Sequence, residues 1–284
     1  MRQSAVSGQF YPASKPELIN SIEQSFMSRF GPGKLPQNRP QRAGRVMGLV
    51  CPHAGYMYSG GAAAQAYSVL AEDGVPDTVV ILGPNHYGLG AKVSLDTREV
   101  WSTPLGSVQC DEGLGMAILE RSDYLKLDSL AHEREHSIEV QLPFLQYLDG
   151  NIRITPISIA HLQKMDAMAL ADDLGSAIAQ ACAGKNVVII ASSDLSHYEN
   201  KTTAAAYDSA AIEHIISLDP IGLVDEVYDR DITMCGAIGT AVMLEACKRL
   251  GANTARKLIY YSSGDVTGDT DQVVGYAAVA VERW

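Results

Sequence analysis

The sequence predicts a single α/β domain over residues 1–284, a mainly parallel mixed sheet flanked by helices. Two observations carry this. Short apolar runs rich in β-branched residues alternate with longer stretches of helical periodicity, the signature of strands joined by crossover helices. The runs are apolar at nearly every position, as strands covered on both faces are, and not at alternate positions. At 284 residues and 46% hydrophobic content the chain can bury one large core.

The elements follow in order. A first helix is predicted after Ser14, where Ser14 and Glu17 fit a capping box, Pro16 is tolerated in the first turn and Leu18, Ile22 and Phe26 recur at helical spacing. The Gly- and Pro-rich stretch from Gly31 to Gly44 is a loop. Strands are predicted at Val46–Val50, Thr78–Leu82, Arg153–Ile159 and Asn186–Ile190. Helices are predicted at Gly60–Glu72, Ser137–Leu148, Met165–Cys182, Lys201–Ile216 and Cys235–Leu250. Two further strands, Lys257–Gly264 and Val273–Glu282, close the chain, and the Ser/Gly/Asp-rich segment between them reads as a turn.

Composition narrows the function. A net charge of −11 with no basic stripe argues against nucleic acid or an anionic membrane as partner. No apolar run reaches transmembrane length and the first residues lack a signal-peptide pattern, so a cytoplasmic location is expected. Five cysteines without close pairs do not form a disulfide framework or a zinc ribbon.

Chemistry is expected beyond the carboxyl ends of the parallel strands, where open α/β sheets bind ligands. His53 follows the first strand in CPHAGYMYSG, His86 the second in GPNHYG, and Asp194 and His197 the fourth in ASSDLSHY. Glycines beside His53 and His86 permit tight turns and close approach by a ligand. His161, past the third strand, has no such frame and ranks lower. Cys235 stands at a predicted helix start, where the dipole favours a thiolate able to bind metal; a buried, inert cysteine is the competing reading. In HEREHSIEV, His132 reads as solvated among charges, whereas His136, beside an apolar helix, could face a pocket. Cys51 reads as core and His214 as a mid-helix residue without function.

These stretches resemble the Memo family, whose prokaryotic members are labelled AmmeMemoRadiSam system protein B. The matching segments are AVSGQFYP, PHAGYMYSG, ILGPNHYG, STPLGSV, EHSIEVQLPFL, SSDLSHY, TMCGAIGTAV and YYSSGD, in order from Ala5 to Asp265. The resemblance implies a fold similar to the class III extradiol ring-cleaving dioxygenases, with His53, His86 and Cys235 as metal ligands and Asp194 and His197 beside them. Those dioxygenases use a carboxylate as third ligand. A thiol in its place still suits iron(II), and makes copper and zinc competitors.

The expected function is therefore a non-haem iron(II)-dependent oxidoreductase with an open coordination position. His197 would be the general acid/base, Asp194 would orient it or a ligand, and Tyr56, Tyr87 and Tyr198 would line the pocket with His136. Alternatives are a zinc hydrolase using the same ligands to activate water, or a non-catalytic adaptor that docks a peptide in the same pocket. The substrate, a small molecule or a peptide, stays unnamed. The family label also implies a radical-SAM system partner.

Overall fold

A computed structural model describes residues 1–284, and its architecture follows from how the apolar runs divide between two faces. The strands are β1 (Val46–Cys51), β2 (Thr78–Pro84), β3 (Val93–Leu95), β4 (Val100–Thr103), β5 (Gly106–Cys110), β6 (Lys126–Leu127), β7 (Arg153–Ile159), β8 (Val187–Ser192), β9 (His197–Glu199), β10 (Thr254–Ser262) and β11 (Val273–Glu282). The helices are α1 (Lys15–Met27), α2 (Tyr56–Asp73), α3 (Glu112–Leu119), α4 (Leu142–Leu148), α5 (Lys164–Cys182), α6 (Lys201–Ile216), α7 (Pro220–Asp229), α8 (Ala237–Arg249) and α9 (Ser263–Thr267).

The chain is a single α/β domain around an 11-stranded mixed sheet, with the order β10-β11-β1-β8-β2-β7-β3-β6 along its main path. The middle of that path, β1-β8-β2-β7, is parallel, so the carboxyl ends of β1, β2 and β8 share one edge. The flanks are antiparallel: β11 pairs with β1 and β10, and β3 with β7. Because successive side chains point to opposite faces, each central strand feeds two cores. Val80, Leu82 and Ile189 pack under α5 and α8, whereas Val79, Ile81 and Ile190 pack under α1, α2 and α4.

Several sequence expectations shift. Ser14 precedes α1 but makes no cap to the helix backbone; its hydroxyl donates to Glu17 Oε2 at 2.6 Å. The predicted helix from Ser137 splits into a 3₁₀ turn at Glu139–Gln141 and α4, with Pro143 in the first turn of α4. Pro143 has no amide hydrogen to continue a helix from upstream. The last long helix begins at Ala237, not Cys235, because Gly236 is its N-cap. The segment between the last two strands holds a short helix, α9, with a true capping box between Ser262 and Asp265. No helix is long and apolar enough to cross a membrane.

Candidate metal centre

The three turns that leave β1, β2 and the loop before α8 meet at the carboxyl edge of the sheet. Ligand atoms of His53, His86 and Cys235 lie within 4.8 Å of one another there, and Cys235 Sγ is 3.4 Å from His53 Nε2. A tetrahedral ion about 2.0–2.3 Å from nitrogen and sulfur donors needs donor separations of about 3.4–3.6 Å. The cluster therefore suits a metal after small side-chain adjustments.

The surroundings fix which nitrogen each imidazole presents. Ser192 Oγ donates its one hydrogen to Ser137 O at 2.6 Å. It must then accept from Gln141 Nε2 at 2.8 Å and from His53 Nδ1 at 2.9 Å. His53 Nδ1 thus carries the proton, and the Nε2 lone pair faces Cys235. His86 is held the same way, its Nδ1 2.9 Å from Glu135 Oε1. Tying the remote ring nitrogen to an acceptor is how proteins orient metal-binding histidines.

Glu135 is the residue that sequence reasoning missed. It reads as one of three charges in a solvated run, yet its carboxylate is buried and accepts four hydrogen bonds, from His86 N, His86 Nδ1, His136 N and Ser137 N. Burial pushes its pKa up, but the hydrogen bond and charge of His86 and the amide of Ser137 outweigh that and bring it down to about 2. The one signal available was its place directly before His136, a few residues ahead of the apolar Leu142–Leu145 stretch.

The other pKa values follow position. His53, only 1% exposed, is pushed well down by burial and by the neighbouring imidazoles. For His86, burial lowers the pKa, but Glu135 raises it further, and the net shift is upward. Burial pushes the Cys235 thiol far up, with Asp194 adding to it. This corrects the expectation of a thiolate made by a helix dipole: Cys235 precedes the helix cap, and burial favours the neutral thiol.

Asp194 lies beside the cluster. Its Oδ1 accepts the His53 amide at 2.8 Å and its own amide donates to Cys235 Sγ at 3.3 Å. It therefore shapes the turn that presents His53, and its carboxylate makes no hydrogen bond to the His197 ring. His197 is half-buried, its Nδ1 2.8 Å from the Thr233 carbonyl oxygen, which leaves Nε2 as the basic nitrogen. His136 sits closer in. Its ring stacks on His86 at 4.7 Å and meets His53 edge-on at 5.6 Å. Its Nδ1 is buried without a hydrogen-bond partner, and burial pulls its pKa down to about 4.

A cavity of about 580 Å³ opens beside the cluster, with His86 and Cys235 in its wall. None of Tyr56, Tyr87 and Tyr198 lines it, nor do Asp194, His197 or His136. Tyr56 is buried in the core and donates to Val140 O at 2.8 Å, while Tyr87 and Tyr198 project into solvent. The cavity's aromatic wall is instead Tyr228 stacked with His161, the histidine ranked lower from sequence. No Lys or Arg lines it. His132, expected in solvent, is fully buried, edge-on to Trp101, with Nε2 against Ser94 O.

A sequence model described as Memo-like protein matches residues 2–280. The chain is 45% identical over 285 residues to a MEMO1 family protein of Methanopyrus kandleri, covering 99% of each sequence. It is 45% identical over 282 residues to one of Ignicoccus hospitalis, covering 98% of each. It is 44% identical over 283 residues to one of Methanosarcina mazei, covering 99% of each. Among solved structures, an uncharacterized protein of Escherichia coli K12 matches with a TM-score of 0.59 at 13% identity, covering 84% of this chain and all of that one. That likeness is one of fold alone.

Proposed function

The chain belongs to the Memo family, and we propose that it is a metal-dependent oxidoreductase that holds iron(II) between His53, His86 and Cys235. The observation behind this reading is the convergence of two Nε2 lone pairs and one sulfur, each imidazole with its other nitrogen tied to an acceptor. Three protein donors would leave a bound ion room for further ligands, and His86 and Cys235 border a cavity that could supply them. Iron(II) in a two-histidine, one-anion set would supply a redox-active centre with room for oxygen and substrate.

The chain's own groups divide the remaining work. Cys235, deprotonated, would contribute the anionic, soft donor. His53 is sealed and rigid, whereas the His86 side chain is 30% exposed and faces incoming ligand. His197, with Nδ1 fixed on Thr233, offers Nε2 for proton transfer. The free thiols and a thiol donor suit a reducing, cytoplasmic setting. A cavity without Lys or Arg argues against phosphate recognition as the site's main task.

Anaerobic purification with metal analysis, followed by oxygen exposure under optical spectroscopy, tests this. The expected result is about one iron per chain and an oxygen-dependent spectral change. Cys235→Ser lowers metal content and shifts metal preference. His197→Ala keeps the metal and slows oxygen chemistry by about 10²–10⁴-fold. Retained zinc that ignores oxygen would point to hydrolysis; no bound metal would leave docking as the better reading. Equal metal loss in both variants would make His197 a ligand.

A further inference from the structure

The amino-terminal segment is built into the metal site through one buried arginine. Arg2 is 1% exposed, and its guanidinium lies 4.1 Å over the Trp101 ring. Nε donates to His132 O at 2.7 Å, Nη2 to Glu135 O at 2.5 Å and Nη1 to Glu139 Oε2 at 2.7 Å. These acceptors bracket the turn whose Glu135 carboxylate grips His86 at two points. The arginine backbone is itself anchored beside β4, its amide bonded to Val100 O at 2.7 Å and its carbonyl to Ser102 N at 2.8 Å. Glu139, the anion that neutralises it, also collects the amides of Ala5 and Val6 and the Tyr11 hydroxyl.

A buried guanidinium with three directed bonds is costly to assemble unless each bond is made. Three of its four hydrogen bonds fall on residues 132–139, and the longest, from Nη1 to Gln3 O at 3.3 Å, is local. We propose that Arg2 is a positioning residue for the His86 imidazole, acting through Glu135, so that residues 2–11 form a strap on which the His86 half of the site depends. The inference rests on the proposed metal site, but its first readout does not.

The first readout is amide hydrogen exchange on the metal-free full chain. In Arg2→Met, the amides of His86 and Ser137, both bonded to the Glu135 carboxylate, exchange at least several-fold faster, while Val80 and Ile81 of β2 keep their rates. Unchanged His86 and Ser137 exchange in a folded Arg2→Met, or in Arg2→Lys should the first variant not fold, overturns the inference whatever metal the protein takes. The second readout is anaerobic calorimetric titration with zinc(II). Arg2→Met and Glu135→Gln weaken binding by about 10–100-fold, the range for removing a partner that orients a metal-binding histidine. Arg2→Lys, which keeps the ion pair with Glu139 and loses the two carbonyl bonds, falls between. Phe26→Leu, in the core between α1 and α4, binds as the unsubstituted protein does. Equal weakening in Phe26→Leu would reduce Arg2 to general stability and overturn its positioning role. Failure of the unsubstituted protein to bind any metal overturns the metal site and not the exchange result.

Discussion

Ser192 has one hydroxyl hydrogen, and its destination decides the protonation pattern of His53. With that hydrogen on Ser137 O, the oxygen is left to accept from His53 Nδ1 and Gln141 Nε2. Ser192→Ala removes the acceptor and leaves the buried His53 Nδ1–H without a partner, at about 1–3 kcal/mol, while Gln141 Nε2 keeps the Pro52 carbonyl at 3.0 Å. The expected outcome is a lower unfolding midpoint and a weaker zinc titration in the same variant; wild-type affinity would mean the ring is oriented by packing alone. The strand-end rule places His53 and His86 together, whereas Cys235 reads only as a residue at a predicted helix start and joins them through the family resemblance. Glu135 and His132 were not legible in the sequence. Both sit in a charged run that looks solvated, and their burial depends on Arg2, 130 or more positions away. Tyr56, Tyr87 and Tyr198 lie near site residues in sequence, but the turns send them into the core or the solvent.

The turn before α8 makes the same point at the scale of an element. Gly236 is pressed so close to β8 that a Cβ there would stand 2.5 Å from Ser192 O and from Ser193 Cβ. Its amide is held by Ser193 Oγ at 2.9 Å. Gly236→Ala must therefore push the turn away from the strand and carry Cys235 with it. Metal affinity should fall more than stability does, since α8 stays seated on the sheet through Val242, Met243 and Ala246. Equal wild-type and variant zinc titrations would refute this close-approach argument. The buried parallel strands and the long helices α5 and α6 were readable because their periodicity runs for several turns or residues. The two-to-five-residue strands β3 to β6 and β9 were not, since pairing partners and not side-chain pattern make them strands.

At the scale of the whole molecule, several buried histidines set how the fold meets acid. His132 is pulled down to about 4 by burial, from 6.5 in an open chain. Between those values the unfolded chain binds a proton that the folded chain refuses. Stability is therefore full above about pH 6.5 and declines as pH falls toward 4, by up to about 3 kcal/mol for a shift of this size. Glu135, held down to about 2, extends the loss below its ordinary range: its contribution is present above about pH 4.5 and fades as pH falls toward 2. Denaturant titrations across pH 7 to 4 should show a steady decline, shallower in His132→Gln; a flat profile would contradict the buried neutral imidazole. The site's one-sided burial has a kinetic consequence as well. With His53 sealed behind the sheet edge and His86 and Cys235 on the cavity wall, an ion in the proposed site would exchange through that cavity. Residence time and equilibrium affinity are then separate quantities. If the proposed site holds an ion, a chelator small enough to enter some 580 Å³ would strip it by direct attack, whereas a bulkier one would wait for spontaneous escape, however strongly it binds.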